Sequence, residues 1–89
     1  MTPIERAARA LCRLDGHPEM ATMEGKPLWR DYLPEVRAVI EALHEPSKLM
    51  REGGAEIFRA INPDHSDIAA EDDAANVWRL MIDVMRKDI

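Results

Sequence analysis

Asp64, His65 and Ser66 stand side by side and are the three residue types of a hydrolytic triad, a carboxylate, an imidazole base and a nucleophilic hydroxyl. Consecutive side chains diverge, whereas a triad needs groups that converge from separated positions, so this run is discounted as catalytic machinery. The same stretch offers oxygens to a cation: Asn62, Asp64, Ser66 and Asp73 match parts of a calcium-loop register. That loop needs glycine at its sixth position and a bidentate glutamate at its twelfth, and here those positions are Asp67 and Asp73. His17, His44 and His65 are too scattered for a helical pair of zinc ligands, and a lone cysteine completes no structural zinc set. Cys12 lies near Arg9 and Arg13, which would lower a thiol pKa; the commoner outcome for such a residue is a half-buried structural thiol. Gly53-Gly54 sits inside a helical pattern, with no strand before it and no Lys-Ser or Lys-Thr after it, so it is no phosphate cradle. The expectation is a protein with no catalytic residue, no metal and no cofactor.

Charge is the stronger signal. Glu56, Asp64, Asp67, Glu71, Asp72 and Asp73 face a single base, Arg59, within one segment, and this accounts for the whole net charge of −5. Eleven acids and eleven bases elsewhere cancel. A small domain that gathers its surplus on one segment presents a directional field, whereas scattered charge mainly confers solubility. These six acids are the candidate partner-binding residues, and a basic protein or nucleoprotein complex is the expected partner. Ordinary helix chemistry competes with that reading, because acids in the first turns of a helix gain about 0.3 to 1 kcal/mol each from the macrodipole. Direct binding to nucleic acid has one argument: two helices flanking Glu45-Pro46-Ser47 resemble a helix-turn-helix with Lys48, Arg51 and Arg59 on the second. Glu52 and Glu56 interleave with those bases, which repels phosphate.

The elements that must position these groups read as helices. Thr2-Pro3-Ile4-Glu5 has capping-box spacing and starts a first helix at Pro3, with Ile4, Ala7, Ala8, Leu11 and Leu14 as its stripe and Asp15-Gly16 as its stop. Arg6, Arg9 and Arg13 take the opposite face. From His17 to Pro27 the periodicity lapses into a structured loop, with Met20 and Met23 expected as plugs on the core. A short turn over 28–32 precedes a helix from near Pro34 that stops by Glu45, ahead of Pro46. Ser47 caps a third helix with apolar positions Leu49, Met50, Ile57, Phe58 and Ile61, in which the two glycines mark a kink or a close crossing. Asn62-Pro63 ends it. A fourth helix of about five turns carries Ala70, Ala74, Val77, Trp78, Met81, Val84 and Met85, with Leu80, Ile82 and Ile89 off that stripe. Helices joined this closely predict an all-α, small irregular four-helix bundle.

The chain has 89 residues, read as one domain spanning 1–89, and a domain of this size buries only about 60 to 65% of the surface its unfolded chain exposes. Its hydrophobic fraction of 46% is too high for a disordered tail, and four rings (Trp29, Tyr32, Phe58, Trp78) are expected to anchor the core. One cysteine forms no internal disulfide, no leader opens the sequence and no apolar run is long enough for a membrane span. The expected setting is the cytoplasm, with no membrane partner and a monomer or homodimer.

Trp29-Arg30-Asp31-Tyr32-Leu33-Pro34-Glu35, Arg37-Ala38 with Ile40-Glu41-Ala42, Glu45-Pro46-Ser47, Val77-Trp78-Arg79-Leu80-Met81-Ile82-Asp83 and the opening Ile4-Glu5-Arg6-Ala7-Ala8-Arg9-Ala10-Leu11-Cys12 resemble a group of small uncharacterised proteins from phages and prophages of alphaproteobacteria. The resemblance covers most of the chain, and its motifs are helix-packing patterns. It implies a phage or mobile-element setting and brings no active site. Small acidic proteins of that setting include anti-CRISPR proteins and other DNA mimics, which occupy the basic groove of a host nuclease or surveillance complex. The leading expectation is therefore a non-enzymatic protein that blocks a basic host protein, with the exposed helix-one arginines assisting. The alternatives are a DNA-associated phage regulator and an oligomeric structural adaptor.

Overall fold

The computed structural model describes residues 1–88 and is all-α, with four α-helices, one 3₁₀ helix and a single two-stranded ribbon. Two compact units make up the chain: Met1–Ala42 with the described residues from Val84 on, and Leu43–Asp83.

In the first unit, helix α1 spans Pro3–Leu14. Thr2 caps it, its Oγ1 accepting from the Glu5 amide at 3.1 Å, and Pro3 sits where a missing N–H leaves nothing unpaired. Glu5 directs its carboxylate one turn onward, to Arg9 at 3.4 Å. Gly16 (φ 78°) takes the left-handed conformation that closes the helix. The buried edge of α1 is Ile4, Ala8 and Cys12, while Ala7 is exposed and Leu14 is 80% exposed. The expected stripe is thus rotated toward Cys12.

The segment from His17 to Pro27 holds strand β1 (Thr22–Met23) antiparallel to β2 (Lys26–Pro27), with Met23 opposite Lys26. Glu24 (φ 55°) and Gly25 (φ 81°) form the turn, and two positive φ angles give it the twist that a two-residue hairpin needs. The expectation that Met20 and Met23 plug the core is corrected: they are 58% and 60% exposed, Met20 in the turn ahead of the ribbon and Met23 on its solvated first strand. Trp29 fills that role instead. It lies on the 3₁₀ helix Leu28–Tyr32, which leads into α2 (Leu33–Ala42) with Pro34 in the first turn. Leu33, Val36 and Ile40 are spaced at three and four, so α2 presents one apolar edge, and α1, α2 and the 3₁₀ helix pack on one another.

In the second unit, Ser47 caps α3 (Lys48–Ile61), its Oγ accepting from the Met50 amide at 3.2 Å, and Asn62 closes the helix. Ser66 caps α4 (Asp67–Met85), its Oγ accepting from the Ala69 amide at 3.1 Å. The pairs Arg59–Asp67 and Gly54–Ala74, continued by Glu45–Arg79 and His44–Asp83 from the link ahead of α3, descend one arm of the chain as they climb the other, so α3 and α4 form an antiparallel hairpin. Of the two glycines, Gly54 marks a close crossing. A Cβ built on Gly54 would lie 2.7 Å from the Ala74 Cβ, and α3 continues unbroken through it. Approach through small residues also explains a correction in packing. The wholly buried positions are Ala55, Ala70 and Ala75, whereas Leu49, Met50, Ile57 and Ile61 of α3 and Val77 and Met81 of α4 are exposed. Ile82, read as off the stripe, is buried; Ile89 lies outside the described residues.

Candidate functional site

The division of charge follows the division of structure. Leu43–Asp83 contains nine acids and four bases, while the other unit contains eight of each, so the net −5 belongs to the helical hairpin alone. All six candidate acids lie there. Glu56 is exposed on α3, Asp64 is exposed in the link, Asp67 opens α4, and Glu71, Asp72 and Asp73 follow in its second turn.

Their local partners separate them. Asp67 Oδ1 accepts from Arg59 Nη1 at 3.1 Å, and Asp73 Oδ2 lies 2.8 Å from His65 Nε2. Glu56, Asp64, Glu71 and Asp72 have no ion-pair partner among the described residues. Because α4 starts at Asp67, only that residue is in its first turn, and the macrodipole fades within a turn. Helix chemistry therefore accounts for Asp67 and leaves Glu71, Asp72 and Asp73 unexplained. Successive helical residues turn by about 100°, so these three carboxylates fan around α4, Asp72 exposed and Glu71 and Asp73 half-buried.

The other chemistry-bearing residues are absorbed locally. Ser66 Oγ is committed to its cap, and His65 turns to Asp73 and away from its sequence neighbours. Asn62 Oδ1 accepts from the Asp64 amide at 3.3 Å, which engages another residue of the calcium-like register. Among the described residues no three of His, Cys, Asp and Glu converge as metal ligands. Cys12 is fully buried, and burial foremost pushes its thiol pKa up, with the carboxylates of Glu19 and Asp15 adding to the effect. Its side chain is a structural thiol.

Several of the basic residues are engaged as well. Arg9 is held by Glu19 at 3.2 Å and by Glu5, and the Glu19 hydrogen bond is the chief reason its pKa rises. Arg9 and Arg30 each place their guanidinium carbon 5.5 Å from the Trp29 ring centroid. Arg13 also meets Glu19, at 3.0 Å, so two of the three helix-one arginines are neutralised within their own unit. On α3, Lys48 pairs with Glu52 and Arg59 with Asp67, while Arg51 has no ion pair among the described residues and turns to the groove between the helices, so the three bases form no clean face for phosphate.

At the opposite end of the hairpin, Arg79 clasps Glu45 through Nη2 at 2.8 Å and Nε at 3.2 Å, holding that carboxyl below the usual carboxylate range. His44 lies with Nε2 3.0 Å from Asp83 and Nδ1 3.4 Å from Glu45, and Trp78 Nε1 donates to the Leu43 carbonyl at 2.8 Å. Between the helices runs an apolar groove of about 330 Å³, lined by Met50, Ile57, Phe58, Val77, Trp78 and Met81 among others, with Arg51 its one charged residue.

Among the described residues no helix is long and apolar enough to cross a membrane. No protein-family model, no characterised protein and no solved structure matches the chain significantly.

Proposed function

We propose that this chain is a non-enzymatic interaction protein that docks its anionic hairpin onto a basic surface of another protein, of the kind that otherwise holds nucleic acid. The observation that carries this reading is the confinement of the whole net charge to Leu43–Asp83, with four of its six clustered acids free of ion pairs among the described residues. Such a surface attracts a cationic groove over roughly a Debye length, about 8 Å at physiological salt, and raises its encounter rate. In the phage setting implied by the resemblance, an inhibitor of a host nucleic-acid-binding complex, as anti-CRISPR proteins are, is the form this activity takes. Docking draws chiefly on Glu56, Asp64, Glu71 and Asp72, with Asp67 and Asp73 contributing through a partly neutralised edge.

Affinity capture from extracts of the native host, run at two ionic strengths, tests the proposal. Partners released at high salt and lost on combined reversal of Asp64, Glu71 and Asp72 to lysine are expected. Reversal of Glu24 and Glu35 in the neutral unit should leave capture unchanged. A partner that binds regardless of salt and of the hairpin reversals overturns the reading.

A further inference from the structure

We infer that the exposed apolar side of the α3/α4 hairpin is the contact surface for a second copy of this chain, two hairpins closing into an antiparallel four-helix bundle. Asp73 of the acidic segment stands one turn before Val77 at the end of this surface, and three observations support a like copy as its occupant.

The first is spacing. Met50, Gly54, Ile57 and Ile61 on α3, and Ala70, Ala74, Val77 and Met81 on α4, both advance by four, three and four residues. That is the step of a helix-packing seam; its small residues Gly54, Ala70 and Ala74 are used within the hairpin, and Met50, Ile57, Ile61, Val77 and Met81 stay exposed along the same rows for a second hairpin to cover. The second is area. Met50, Ile57, Ile61, Val77 and Met81 are each 44–76% exposed. Together they leave on the order of 600 Å² on each copy, which reaches the low end of the roughly 1,200–2,000 Å² total that specific interfaces bury. The third is charge. Two copies of a unit carrying −5 repel wherever their carboxylates meet, so association favours a face without carboxylates, and the groove on this side carries none, with Arg51 its one charged residue. An isologous two-fold contact satisfies all three, because one self-complementary patch serves both subunits.

Light scattering and sedimentation equilibrium on the full chain, from low micromolar to near-millimolar concentration, test the inference. The expected result is a reversible approach to twice the 10.1 kDa monomer mass that persists at high salt. Ile57→Glu and Met81→Glu should each weaken dimerisation roughly thirtyfold or more while circular dichroism shows the helices retained. Leu14→Glu, on an exposed apolar residue of the other unit, should leave it unchanged. If either glutamate unfolds the chain, Ile57→Ala and Met81→Ala read the same surface without adding charge. A monomer mass at every concentration overturns the inference. So does a dimer that dissolves in salt, or one that survives the Ile57 and Met81 substitutions.

Discussion

A methyl group added at Gly54 would lie 2.7 Å from the Ala74 Cβ, whereas one added at Gly53 would meet nothing within 4 Å. Both residues are interior to α3 and neither has a positive φ, so they isolate packing from propensity. Gly54→Ala is expected to destabilise by about 1 to 3 kcal/mol through overpacking against a backbone-borne methyl. Gly53→Ala should stabilise by roughly 0.5 to 1 kcal/mol through helix propensity alone. Urea midpoints of the two variants, moving in opposite directions, check the crossing. Tyr32 provides a second residue-scale reading. Its hydroxyl donates to Asp15 Oδ2 at 2.7 Å, and this bond, assisted by burial, raises the phenol pKa from 10.0 to about 12. The folded state holds that proton more tightly than the unfolded chain, so the stabilisation is complete below the unfolded value and is lost as pH rises through the folded one. Urea titrations between pH 10 and 12 should show a falling alkaline limb that Tyr32→Phe flattens.

At the scale of the element, the helix starts rest on identifiable side chains. Ser47→Ala should cost about 1 kcal/mol by orphaning the Met50 amide, as measured by thermal or chemical unfolding. Those starts were readable from sequence because caps and breakers act locally: Thr2, Pro3, Gly16, Ser47 and Asn62-Pro63 all do what their types imply. The ribbon was hidden, since Glu24-Gly25 resembles an ordinary breaker pair until Glu24 adopts positive φ. Which apolar face is buried was also hidden. The wide arc of α4 fits several rotations, and only the approach of Gly54 to Ala74 selects one. The acidic segment itself was evident as a count of charges. The Arg59–Asp67 and His65–Asp73 pairs were not, because both span eight residues across a link whose geometry no local pattern encodes.

At the scale of the whole molecule, one unit is electroneutral and the other carries −5, and each holds one tryptophan, Trp29 in the first and Trp78 in the second. Screening relieves like-charge repulsion only where there is a surplus, so added NaCl should raise the melting transition reported by Trp78 more than that reported by Trp29. Fluorine-labelled indoles give each ring its own resonance and separate the two, and equal salt responses would contradict this electrostatic division. The neutral unit also offers a practical handle. The hairpin tip at Glu24-Gly25 is solvated on both sides, and lengthening a surface loop costs little closure entropy. An epitope spliced between those two residues would let antibodies retrieve the protein with its bound company intact, leaving every carboxylate of the hairpin unmodified.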